Sequence, residues 1–125
     1  DANAAESRLQ AWRAAGGKGH AWIVVESLYS MDGDRAPLAD LAEIAMRWEA
    51  VLVIDEAHAT GVFGREGRGL AADVKGRDNV IGVHTCGKAL GASGGLVCGP
   101  AAVIEFLINR SRPFIYATAP SPLMA

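Results

Sequence analysis

An α/β fold, with a mostly parallel sheet flanked by helices, is the class this sequence predicts. Three observations predict it. Val51-Leu52-Val53-Ile54 is an unbroken apolar run of the kind found in strands buried on both faces of a parallel sheet. Strand-like and helix-like stretches alternate along the chain. Polar or Gly-rich segments follow the strand-like runs, and in open α/β sheets ligands sit just outside the carboxyl ends of the strands.

In chain order, Asp1 to Ala15 is Ala-rich, with Leu9 and Trp12 at helical spacing, and Gly16-Gly17 would end that helix. Ala21 to Val25 predicts a first strand. It runs into Glu26-Ser27-Leu28-Tyr29-Ser30-Met31-Asp32-Gly33-Asp34, a polar loop of turn formers. Pro37 suits the first position of a helix that carries Leu38, Leu41, Ile44 and Trp48 on one side. The strand from Val51 ends in Asp55-Glu56-Ala57-His58, and the glycines between Gly61 and Gly69 then predict a loop. Leu70 to Val74 reads as a helical turn and Val80 to His84 as a third strand. A second Gly-rich loop holds Thr85, Cys86 and Lys88 and leads to a short strand, Leu96 to Cys98. Pro100 opens a helix with Val103, Ile104, Leu107 and Ile108 on one side, and Phe114 to Ala117 is expected to be a last strand. With Asp1 where an initiator Met would stand, and Pro120 to Ala125 resembling the first turn of an unfinished helix, the chain is expected to be an internal piece of a larger protein.

Composition narrows the function classes. The 125 residues suffice for one domain, half of them hydrophobic and 21% charged, as in ordinary globular proteins. A net charge of -2 gives no sign of a nucleic-acid or membrane partner, and no apolar run approaches the roughly 20 residues of a membrane span. Cys86 and Cys98 do not make a disulfide framework, so a reducing cytoplasm is the default expectation.

Ser30, the Asp55/His58 pair, and Thr85 with Lys88 all stand at strand ends. Each also has an ordinary reading. Loop lysines are usually solvated, an Asp after a strand is often only a cap, and an isolated His is more often a structural donor. Cys86 reads as a packed thiol. An apolar strand ending in Asp55-Glu56-Ala57-His58 also matches the Mg²⁺-holding box of nucleotide-driven helicases. That reading requires a G-x-x-x-x-G-K-[ST] loop, whereas Gly87-Lys88 is followed by Ala89 and lies after the box. The competing reading is a pyridoxal phosphate site, which needs a Lys for a Schiff base, a carboxylate for the ring nitrogen, and hydroxyl and backbone donors for the phosphate. Lys88, Asp55, Thr85 and the Gly-rich loops supply these.

Four segments make the chain recognisable: E-S-L-Y-S-M-D-G-D-R-A-P-L (Glu26 to Leu38), V-I-D-E-A-H-A-T-G-V-F-G-R-E-G-R-G (Val53 to Gly69), H-T-C-G-K-A-L-G-A-S-G-G (His84 to Gly95) and S-R-P-F-I-Y-A-T-A-P-S-P (Ser111 to Pro122). Together they resemble the α-oxoamine synthases, fold-type I pyridoxal phosphate enzymes, over nearly the whole chain from Trp22 onward. The resemblance implies that residues 1–125 are an internal part of the cofactor-binding large domain, without the N-terminal segment and the C-terminal small domain. It implies Lys88 as the Schiff-base lysine and proton carrier, Asp55 as the partner of the pyridinium nitrogen, and His58 as the partner of the ring's phenolic oxygen. Ser30 would lie near that oxygen, and Thr85 would bind the phosphate. Thr118 would reach the phosphate of a neighbouring subunit, in a homodimer with a shared active site. Ala117 stands where the family often has another hydroxyl residue. The branch it most resembles condenses L-alanine with a pimeloyl thioester carried by coenzyme A or an acyl carrier protein. A glycine C-acetyltransferase or another sister enzyme is the alternative within the family.

Overall fold

The computed structural model describes residues 1–123 and is built around a four-stranded sheet. Its strands are β1 (Trp22–Glu26), β2 (Val51–Asp55), β3 (Val80–Thr85) and β4 (Gly95–Cys98), side by side in that order. β1, β2 and β3 run parallel, and β4 pairs antiparallel with β3. The register sets Glu26, Asp55 and Val83 level with one another, which aligns the carboxyl ends of the three parallel strands. The expected mostly parallel sheet is present, and its last strand completes a hairpin with β3.

One face of the sheet carries the core. Leu52 and Ile54 are fully buried there, beside Ile23 and Val80. The roof is α2 (Leu38–Arg47), which buries Leu38, Leu41, Ala42, Ile44 and Ala45 and turns Glu43 and Arg47 to solvent. Burial of each large side chain contributes about 1.5–3 kcal/mol. α1 (Ala2–Ala14) lies beside α2. It starts where the Asp1 carboxylate accepts the Asn3 and Ala4 N–H groups at 2.9 and 3.4 Å, and it buries Leu9. Glu6 joins the two helices, accepting from Arg47 at 2.8 Å and from Trp48 Nε1 at 3.1 Å. On the opposite face, Trp22 and Val24 are 61% and 70% exposed.

The segment after β2 is more ordered than a plain Gly-rich loop. Glu56 is fully buried, and its carboxylate accepts the Leu70 N–H at 3.0 Å and the Ala71 N–H at 2.5 Å. The chain therefore leaves β2, makes a short 3₁₀ turn at Arg65–Gly67, and is pulled back to where it started. Gly69 touches the Glu56 carboxylate so closely that a Cβ would overlap it, at φ +90°, where side chains are strained in any case. Residues 70–74 then form the expected helical turn, with Val74 N–H donating to Ala71 O at 3.0 Å.

One expectation needs correction. Phe114 to Ala117 is not a strand: Arg112–Ile115 forms α4, a single helical turn with Pro113 near its start. A proline preset to helical φ favours that turn, and among the described residues no strand lies alongside to pair with. The helix after Pro100, α3 (Ala101–Arg110), forms as expected, but none of its residues is buried. The expected helical turn from Pro120 to Ala125 lies partly outside the described residues.

Replacing Glu56 by Gln turns one of its two acceptor oxygens into a donor facing a backbone N–H. Glu56→Gln is expected to lower the unfolding free energy by about 1.5–3 kcal/mol, read from urea denaturation. An unchanged midpoint would mean that the loop is held some other way.

Candidate active site

Asp55 is the last residue of β2 and shares the face opposite Leu52 and Ile54 with Val51 and Val53. It is half-buried, and its Oδ1 accepts the Ala57 N–H at 2.8 Å. That is the ordinary capping role, and it occupies one oxygen. Oδ2 takes no hydrogen bond among the described residues.

The chain then makes a tight turn. Glu56 O accepts the Ala59 and Thr60 N–H groups at 3.0 and 2.8 Å, and also the Thr60 hydroxyl at 2.8 Å. His58 sits on the outside of this turn. Lys88 sits at the tip of the β3–β4 hairpin, which Ala92 N–H to Cys86 O and Cys86 N–H to Gly94 O close at 2.9 Å each. The two side chains meet, with Lys88 Nζ 2.8 Å from His58 Nε2. A lysine ammonium has only donors, so His58 accepts at Nε2 and holds its own proton on Nδ1.

Thr85, at the end of β3, accepts the Gly87 N–H at 3.3 Å, which leaves its hydroxyl proton free to donate. Ser30 is exposed at the tip of the loop after β1, a loop closed by Tyr29 N–H to Asp34 O and Gly33 N–H to Tyr29 O at 2.9 Å each. Thr118 is exposed beyond α4. Thus the structure brings His58 and Lys88 together, with Asp55 and Thr85 at neighbouring strand ends. Ser30 and Thr118 make no hydrogen bond to these residues among those described. Cys86 and Cys98 are free thiols.

Sequence reading missed the layer beneath. His84 and Thr60 are both buried, and His84 Nδ1 lies 2.7 Å from Thr60 Oγ1. Thr60 already gives its only hydroxyl proton to Glu56 O, so the proton between Thr60 and His84 belongs to Nδ1. Burial, and secondarily the nearby Lys75 cation, push the His84 pKa below its usual value, against the opposing pull of Glu56 and Asp55. Glu56 was the other omission. With both carboxylate oxygens bonded to backbone, it cannot serve as the metal-facing acid of a nucleotide hydrolase box. Among the described residues, no cluster of His, Cys, Asp and Glu could hold a metal ion. No helix among them is long and apolar enough to cross a membrane.

A family model described as aminotransferase class I and II matches residues 1–125. The chain belongs to this family. It is 48% identical over 124 residues to the 8-amino-7-oxononanoate synthase of Acidithiobacillus ferrooxidans, a match covering 95% of this chain and 31% of that protein. Among solved structures, the 8-amino-7-oxononanoate synthase of Francisella tularensis matches with a TM-score of 0.70 and 34% identity, over 94% of this chain and 34% of that one. A structure of SPT with PLP internal aldimine matches with a TM-score of 0.81 and 29% identity, over 99% of this chain and 31% of that one. The sheet and its flanking helices are therefore those of the fold-type I transferases. The chain spans about a third of the length of these relatives.

His84 gives a signed pH dependence. Its folded pKa lies below the unfolded value of about 6.5, so the unfolded chain binds more protons in the window just beneath that value. The His84 contribution to stability is complete above about pH 6.5 and falls away as the pH drops towards the folded pKa. Urea midpoints measured from about pH 7.5 down to about pH 5.5 should fall more steeply for the wild type than for His84→Asn. Parallel slopes would remove His84 as the source.

Proposed function

We propose that the protein containing this chain is a pyridoxal phosphate-dependent acyltransferase. It condenses L-alanine with a pimeloyl thioester, releasing CO₂ and the thiol carrier, to give 8-amino-7-oxononanoate for biotin biosynthesis. The observation that carries this reading is the 2.8 Å contact of Lys88 with His58, made between strand ends that also present Asp55 and Thr85. The 48% identity to an 8-amino-7-oxononanoate synthase favours this reaction over that of a sister enzyme such as a glycine C-acetyltransferase. In this reading residues 1–125 belong to the large, cofactor-binding domain of a cytoplasmic homodimer and are inactive by themselves.

The residues present fit the cofactor. Lys88 offers an exposed amine on a hairpin tip, Asp55 keeps one carboxylate oxygen unengaged, and Thr85 keeps a hydroxyl proton to give to an anion. When bound, pyridoxal phosphate supplies an aldehyde that links to amines and a cationic ring that takes up the electrons of a neighbouring carbanion. Asp55 holds the proton on the ring nitrogen, because a carboxylate favours the cationic form. Lys88 would hold the cofactor through its amine, and the same amine, when free, would take the proton from the alanine α-carbon. His58, 2.8 Å from Lys88 Nζ, would be the hydrogen-bond partner of the ring's phenolic oxygen. Ser30 supports that oxygen, and Thr118 reaches the phosphate of the partner subunit.

In the full-length protein, Lys88→Ala is expected to abolish covalent trapping of pyridoxal phosphate by borohydride and to lower kcat/KM by at least about 10³-fold. Label retained on the variant would refute Lys88 as the attachment point. Asp55→Asn should still bind the cofactor but lose about 10²–10³ in kcat; normal turnover would disprove the role of Asp55 at the ring nitrogen. Assays that cross L-alanine and glycine with pimeloyl and acetyl thioesters should show the highest kcat/KM for alanine with the pimeloyl donor. Preference for glycine with the acetyl donor would move the protein to the sister activity.

A further inference from the structure

The 2.8 Å contact between Lys88 and His58 is made by an exposed side chain and a half-buried one, at the tips of two separate loops. Exposed polar pairs contribute little by themselves, so this one does not fix its own geometry. Beneath it runs a buried chain of hydrogen bonds. Thr60 Oγ1 donates to Glu56 O at 2.8 Å, which closes the turn that carries His58. His84 Nδ1–H donates to Thr60 Oγ1 at 2.7 Å, which docks that turn onto β3, the strand that leads into the Lys88 hairpin. Thr60 and His84 are 9% and 7% exposed, so a lost bond here leaves a polar group unsatisfied away from water. A second contact works in the same direction. A Cβ on Gly61 would stand 2.9 Å from Ala89 Cβ, so the Gly61 backbone packs directly on the Ala89 methyl, one residue from Lys88.

We propose that Thr60 and His84 are positioning residues for the reaction: their buried hydrogen bond holds His58 against Lys88. This rests on the proposed cofactor role of Lys88. His58 lies two residues before Thr60, and Lys88 four residues after His84, so a shift in the buried bond is passed to both tips through short, turn-bonded backbone. The groups around His84 do not compete for its Nδ1 proton. Lys75 and Arg68, which line the same cavity with Cys98, are cations, and the Glu56 carboxylate is engaged by Leu70 and Ala71.

The test uses the full-length protein loaded with pyridoxal phosphate and reads the pH midpoint of its visible absorbance, which reports on the surroundings of the Lys88 nitrogen. Thr60→Val keeps the shape and removes the hydroxyl; it should move the midpoint by roughly half a pH unit or more. Thr60→Ser restores the hydroxyl and should bring the midpoint back to within about 0.2 unit of wild type. His84→Leu should shift the midpoint as Thr60→Val does, and His84→Asn, which can place an N–H where Nδ1–H was, should shift it less; this pair decides if Thr60→Val does not fold. Variants that lose thermal stability but keep the wild-type midpoint would overturn the proposal, because a purely structural bond predicts that result. A wild-type protein with no visible band would instead overturn the cofactor reading, and this inference with it.

Discussion

The Glu56 carboxylate is the constraint on which the rest of the site depends. It is buried without exposure and takes two backbone N–H groups from a segment fourteen and fifteen residues further along the chain. A buried carboxylate left unpaired would be costly, so the loop has to return to it. That return fixes the exit from β2, and the exit carries Asp55 on one side and His58 on the other. The parallel pairing of β2 with β3 then brings the start of the Lys88 hairpin to the same edge. The proposed catalytic arrangement, built on loops, is thus held by an acid that need not touch substrate.

The packing is one-sided, and this matters for how the site is supported. Leu52 and Ile54 anchor β2 from the α2 side, so the backbone of Asp55 is set by core residues one and three positions earlier. β strands with alternating buried and half-exposed residues allow one face to serve stability while the other presents chemistry. Asp55 follows the second course, sharing its face with Val51 and Val53.

Much of this was legible in the sequence, for physical reasons. The apolar run at Val51 could hardly be anything but a buried strand, and the helical spacing of Leu38, Leu41 and Ile44 declared its packing face. Asp55, His58 and Lys88 stood out because their types and their places after strands match a known chemistry. Glu56 was passed over because its partners are backbone N–H groups, which every residue has and no side-chain pattern advertises. His84 and Thr60 were hidden for a related reason: their bond exists only once β3 lies beside the turn. Phe114-Ile115-Tyr116 misled because aromatic and β-branched residues favour strands only where a neighbouring strand can pair with them.

The hairpin that carries Lys88 has a dynamic consequence. β2 is paired on both sides, through Glu26 and Val83 at the level of Asp55, whereas β4 is exposed along its length and bonded only to β3 among the described strands. Thermal motion therefore divides unequally between the two groups. The carboxylate rides on the stiff centre of the sheet, and the amine rides on a short arm that can pivot about β3. Stability within one domain is not uniform, and segments with few buried contacts open most readily. In the proposed reaction Lys88 releases one partner, moves a proton and returns, which such an arm favours, while Asp55 only holds charge in place and gains from being still.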